Sequence, residues 1–124
     1  MAKVPTEHQE QVELVRWLRA HGVLHCHVPN GGRRGRREAI RLKAAGVEAG
    51  VPDLLLFDPP PIGGSCGVAL ELKRRKGGRT SEKQERWLRE LEVRGWVALV
   101  CHGAKEAIRE LERLGYGRAS EKSD

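Results

Sequence analysis

The sequence predicts an α/β protein in which a mixed β-sheet is flanked by helices, in the order α-β-α-β-β-α-β-α. Three observations carry this prediction. Segments with helical apolar spacing alternate with short aliphatic runs, two S/T-x-x-Q capping boxes open helices, and a Pro/Gly-rich turn joins two aliphatic runs into a hairpin. With 124 residues, 39% hydrophobic and 32% charged, the chain has the size and composition of one packed domain. That domain is expected over residues 1–116, with a polar tail at 117–124.

Thr6-Glu7-His8-Gln9 is the first capping box, and Val12, Leu14, Val15 and Leu18 then keep helical spacing until Gly22 can close the helix. Residues 23–28 read as a strand stopped by Pro29-Asn30-Gly31-Gly32. Residues 36–45 favour a basic helix that Gly46 ends, and a loop follows to Pro52. Residues 53–57 and 68–73 are strands, because the Pro- and Gly-rich stretch between them cannot be regular structure. Ser81-Glu82-Lys83-Gln84 is the second capping box, opening a helix through Trp87, Leu88 and Leu91 that Gly95 ends. A strand over 96–101 and a helix over 104–114 complete the series.

The charge balance narrows the function classes. With 23 Lys+Arg against 17 Asp+Glu the net charge is +6, which points to a polyanionic partner, nucleic acid first. No apolar run approaches the roughly 20 residues that cross a bilayer, and the first residues lack the apolar centre of a signal peptide, so a soluble cytoplasmic protein with no membrane partner is expected. Cys26, Cys66 and Cys101 are odd in number and far apart, which suggests reduced, mostly structural thiols.

The hairpin carries the chemistry. With its turn centred on Ile62, Asp53 falls opposite Glu71, at about 4.5–5.5 Å between Cβ atoms. Like charges that close call for a cation between them. Lys73, two residues beyond Glu71, shares its face of the strand. Two hard oxygen ligands can hold Mg²⁺ or Mn²⁺ while leaving positions for water and a phosphate oxygen, and a lysine beside them can position water or offset developing charge. The implied reaction is metal-assisted phosphodiester hydrolysis. The same residues equally fit a plain edge strand with alternating solvent-facing side chains and a turn aspartate.

Pro52-Asp53 followed by Glu71-Leu72-Lys73 matches the PD-(D/E)xK nuclease signature. The ordered set around it resembles the VRR-NUC (virus-type replication and repair nuclease) domain family. That set comprises Glu7 in an N-terminal helix, Pro29-Asn30-Gly31-Gly32, Leu42-Lys43-Ala44-Ala45-Gly46-Val47, Gly50-Val51-Pro52-Asp53, Glu71-Leu72-Lys73, and Gly78-Arg79-Thr80-Ser81 followed by Gln84 and Trp87. The likeness spans roughly residues 7–114. It implies a restriction-endonuclease-like fold, dependence on Mg²⁺ or Mn²⁺, and endonucleolytic DNA cleavage, structure-selective for branched DNA in phage or bacterial replication and repair. It further implies a homodimer, and a helicase as possible neighbour. Asp53, Glu71 and Glu7 are the implied metal ligands, Glu7 completing the acidic cluster from the first helix; Glu10 competes for that place. Lys73 is the implied catalytic lysine, and Gln84 either touches the site or only caps its helix. The alternative function is a non-catalytic DNA-binding module of a replication or repair assembly.

Arg33, Arg34, Arg36, Arg37, Arg41 and Lys43, preceded by Asn30 and two glycines, form the first expected phosphate-contact segment; Arg74, Arg75 and Arg79, leaving the Glu71 strand, form the second. No base-reading motif is visible, so contact through phosphates and DNA shape is expected. Trp17, Trp87 and Trp96 are expected in the core. His25-Cys26-His27 has no structural-zinc spacing.

Overall fold

The computed structural model describes residues 3–29 and 35–117. These form four helices and one open, four-stranded mixed sheet: α1 Glu7–Ala20, β1 His25–His27, α2 Arg36–Ala44, β2 Leu54–Leu56, β3 Val68–Lys73, α3 Glu82–Val93, β4 Val97–His102 and α4 Ala104–Arg113. The strands stand in the order β1-β2-β3-β4, with β1–β2 and β2–β3 antiparallel and β3–β4 parallel. The predicted element order holds throughout. Only the first two strands are shorter than expected, three residues each, since Pro29 removes a donor just beyond β1 and Pro52 one just before β2.

Both predicted capping boxes are present. Thr6 accepts from the Gln9 backbone N–H and Ser81 from that of Gln84, while each glutamine side chain returns to the cap residue's N–H. The helix starts are thereby anchored by side-chain bonds that replace missing intrahelical ones.

Strand alternation sorts the sheet into two faces. Leu54, Leu56, Val68, Leu70 and Leu72 pack with Leu14 and Leu18 of α1 and with Ala104, Ala107 and Leu111 of α4. Each buried leucine contributes about 1.5–3 kcal/mol of transfer free energy. By the period of two, Ala69, Glu71 and Lys73 take the opposite face, against which α3 lies. All six residues of β3 are buried, so Glu71 and Lys73 stand in a covered strand and not on a solvated edge.

α2 differs from the other helices: none of its residues is buried, and Ile40 is largely exposed. Trp17, Trp87 and Trp96 are half-buried; Trp17 flanks the core and Trp96 meets Phe57 edge-on. Cys101 is buried, whereas Cys26 and Cys66 are exposed, which corrects the expectation that the thiols are mostly structural. No described helix is long and apolar enough to cross a membrane.

Candidate active site

Leu54 pairs with Leu70, Leu55 with Ala69 and Leu56 with Val68. Continuing that register one residue sets Asp53 opposite Glu71, as the turn-centre argument predicts. Asp53 sits at the mouth of β2 because two close approaches hold it there. Pro52 is fully buried, and Gly50, at φ +89°, lies so near the start of α3 that a Cβ would stand 2.8 Å from the Lys83 backbone. Only glycine combines that φ with that approach. The Asp53 side chain then accepts the Leu72 backbone N–H through Oδ2 at 2.9 Å. Its carbonyl accepts two bonds from the first strand region, from the Val28 N–H and from His27 Nδ1, each 2.8 Å.

Glu71 is 2% exposed. Its Oε2 accepts from Gln84 Nε2 at 2.9 Å and lies 3.4 Å from Lys73 Nζ, while Oε1 is buried with no partner. Burial, then the charge and close approach of the Asp53 carboxylate, push the Glu71 carboxyl up to about 8, against the opposing pull of Lys73. Lys73 Nζ also donates to Gln84 Oε1 at 3.2 Å. Gln84 therefore serves both readings open to it: it closes the capping box with Ser81 and joins Glu71 to Lys73.

These residues fit a divalent ion. Asp53 and Glu71 are hard oxygen donors on one face, and the unpartnered Oε1 is a lone acceptor that a cation would satisfy. The structure does not bring the third expected acid, Glu7, to this pair. Glu7 is exposed in the first turn of α1, before that helix begins to pack, and among the described residues no three His, Cys, Asp or Glu side chains gather in metal-holding geometry. The buried stripe of α1 begins instead at Glu10, followed by Leu14 and Leu18. Glu10 has other partners. Its Oε2 accepts from Arg75 Nε at 2.7 Å and its Oε1 from the Ala104 N–H at 3.1 Å. α4 begins after Gly103, which has no side chain to cap it, and Glu10 supplies the acceptor from another helix.

The expected phosphate contacts divide three ways. Arg36, Arg37, Arg41 and Lys43 are exposed on α2, and Arg74 and Arg79 are exposed beyond β3. Arg75, also exposed, gives its Nε to Glu10. Asn30, Arg33 and Arg34 lie outside the described residues. Sequence reasoning missed the Glu10 cap and the His27 support of Asp53. The i, i+4, i+8 stripe of Glu10, Leu14 and Leu18 was the available signal for the first. For the second there was only the alternation of His25-Cys26-His27, whose histidines share a face.

Residues 5–105 match the VRR-NUC domain model. A solved structure of a VRR-NUC domain protein superposes with a TM-score of 0.75 at 23% identity, covering 92% of this chain and 91% of that one, a likeness of fold. No match is found among curated proteins.

Proposed function

The chain belongs to the VRR-NUC family of nuclease domains, and from that premise we propose that it is a divalent-metal-dependent DNA endonuclease hydrolysing phosphodiester bonds. The observation that carries the reading is Glu71 Oε1, a buried, unpartnered oxygen opposite Asp53. Asp53 and Glu71 would hold Mg²⁺ or Mn²⁺, which supplies a Lewis acid and neutralises charge on the phosphodiester when bound.

The other residues act around that pair. The Leu72 N–H fixes the Asp53 carboxylate, so its orientation does not depend on substrate. Gln84 holds Glu71 Oε2 and Lys73 Nζ together, setting the rotamers of both. An ammonium has three donors, and Glu71 and Gln84 engage two, leaving Lys73 one for the attacking water or a phosphate oxygen. Net charge +6 around an acidic centre draws the DNA backbone to the protein while the centre keeps its affinity for cations. Branched DNA as preferred substrate, a homodimer as working form and a helicase as neighbour belong to the proposal on the family likeness alone.

The test is incubation of the pure chain with branched and linear DNA in Mg²⁺ or Mn²⁺. Cleavage abolished both by EDTA and by Asp53→Asn is expected. Tight DNA binding with no cleavage in either metal overturns the enzyme reading and leaves a DNA-binding module.

A further inference from the structure

A third basic feature is distinct from α2 and from the segment after β3. A cleft of about 490 Å³ opens between α1 and β1, which is an end strand of the sheet. Its polar lining is His8, Gln11, Arg16, Arg19, His25 and His27, and no carboxylate lines it. The α1 members recur along one helical stripe, with Val12 and Val15 as the apolar wall between them.

The donors are available. Among the described residues no carboxylate pairs with Arg16 or Arg19. His25 Nδ1 meets the Val23 carbonyl and His27 Nδ1 the Asp53 carbonyl, each at 2.8 Å. A carbonyl only accepts, so both imidazoles carry hydrogen on Nδ1 and keep Nε2 for another partner. The chain direction gives the cleft a destination. β1 runs antiparallel to β2, so its His27 end lies beside Asp53, where β2 starts. His8, in the first turn of α1, marks the same end, two residues before Glu10, which reaches the residues that follow β3 and β4.

We propose that this cleft binds backbone phosphates of a DNA strand and leads that strand to the end of the sheet where Asp53 and Glu71 stand, with Arg16 and Arg19 as the principal contacts. The proposal rests on the nuclease reading for its substrate but makes its own prediction about binding. Two guanidiniums with no carboxylate partner suit phosphate by bidentate hydrogen bonding, and apolar walls beside them lower the local dielectric.

The test measures binding of labelled duplex and branched DNA to the full chain in EDTA, across a salt series. Arg16→Gln/Arg19→Gln is compared with Lys105→Gln/Arg109→Gln, an equal loss of charge on the exposed face of α4. The first variant is expected to bind at least about tenfold more weakly, with a salt slope shallower by about two, while the α4 variant stays close to wild type. Arg16→Lys/Arg19→Lys should recover most of the affinity, which separates lost charge from lost folding. If the glutamine variants of α1 and α4 behave alike, or if wild-type chain binds no DNA, the cleft proposal is overturned. Mg²⁺-dependent cleavage by wild-type chain judges the nuclease reading separately: DNA bound through Arg16 and Arg19 but never cut would sink that reading and leave the cleft standing.

Discussion

Inside a protein, a carboxylate oxygen with no hydrogen-bond partner costs about 1–3 kcal/mol, and more when charged. Glu71 Oε1 is such an atom, and burial together with the neighbouring Asp53 charge raises the carboxyl to about 8, which favours its protonated form. The sign of the pH effect follows. A carboxyl raised in the folded state above 4.5 contributes stability that is fully present below about 4.5 and is lost as pH rises through about 8. Metal-free protein should therefore melt at progressively lower temperature from pH 5 to pH 9, and Glu71→Gln should flatten that decline in a thermal scan. Because the ligand must lose its proton first, Mg²⁺ affinity by calorimetry should rise over the same interval. Lys73 answers to kinetics instead. Lys73→Ala at saturating Mg²⁺ should keep DNA affinity and lose about 10²–10⁴-fold in turnover; unchanged turnover removes the lysine from the mechanism.

Among the elements, α1 and α4 are joined by one polar side chain besides their core packing. Glu10 joins them through the Ala104 N–H and holds Arg75 at the same time. Glu10→Ala should destabilise the fold by about 1–3 kcal/mol in denaturant unfolding, combining the loss of a helix cap with that of a charged hydrogen bond. Glu7→Ala, on an exposed side chain, should change stability by less than about 0.5 kcal/mol. This contrast marks how far the site was legible. Asp53 and Glu71 could be set opposite each other because a hairpin turn fixes register locally, and Lys73 followed from the period of two. The choice between Glu7 and Glu10 could not be made that way. By spacing both align with the apolar stripe of α1, and what leaves only Glu10 buried is the position of a helix start almost a hundred residues away, which no local spacing encodes. The Gly50 approach to Lys83 was hidden for the same reason, being a contact between a loop and a helix distant in sequence.

At the scale of the whole molecule, the net charge of +6 is distributed unevenly. α2 places Arg36, Arg37, Arg41 and Lys43 on a helix that buries nothing, so their removal should cost DNA affinity without costing fold. Replacing Arg36, Arg37 and Arg41 by Gln should weaken DNA binding and flatten its salt dependence by up to about three, with the melting temperature near that of wild type. An unchanged slope would put the DNA elsewhere. The element order was readable from caps, glycines and the proline-rich turn, which act within a few residues. That α2 would stand away from the core was not readable, because its Ala, Ile and Leu content suits packing and only the completed sheet shows that the covering helices are others.

Gln84 couples two kinds of order that proteins usually keep separate. The amide that closes the first turn of α3 also holds Glu71 and Lys73, so fraying of that turn releases both side chains of the proposed site while the leucine interior is still intact. On gradual warming, competence should thus fade ahead of cooperative melting, with a single side chain acting as the fuse between them.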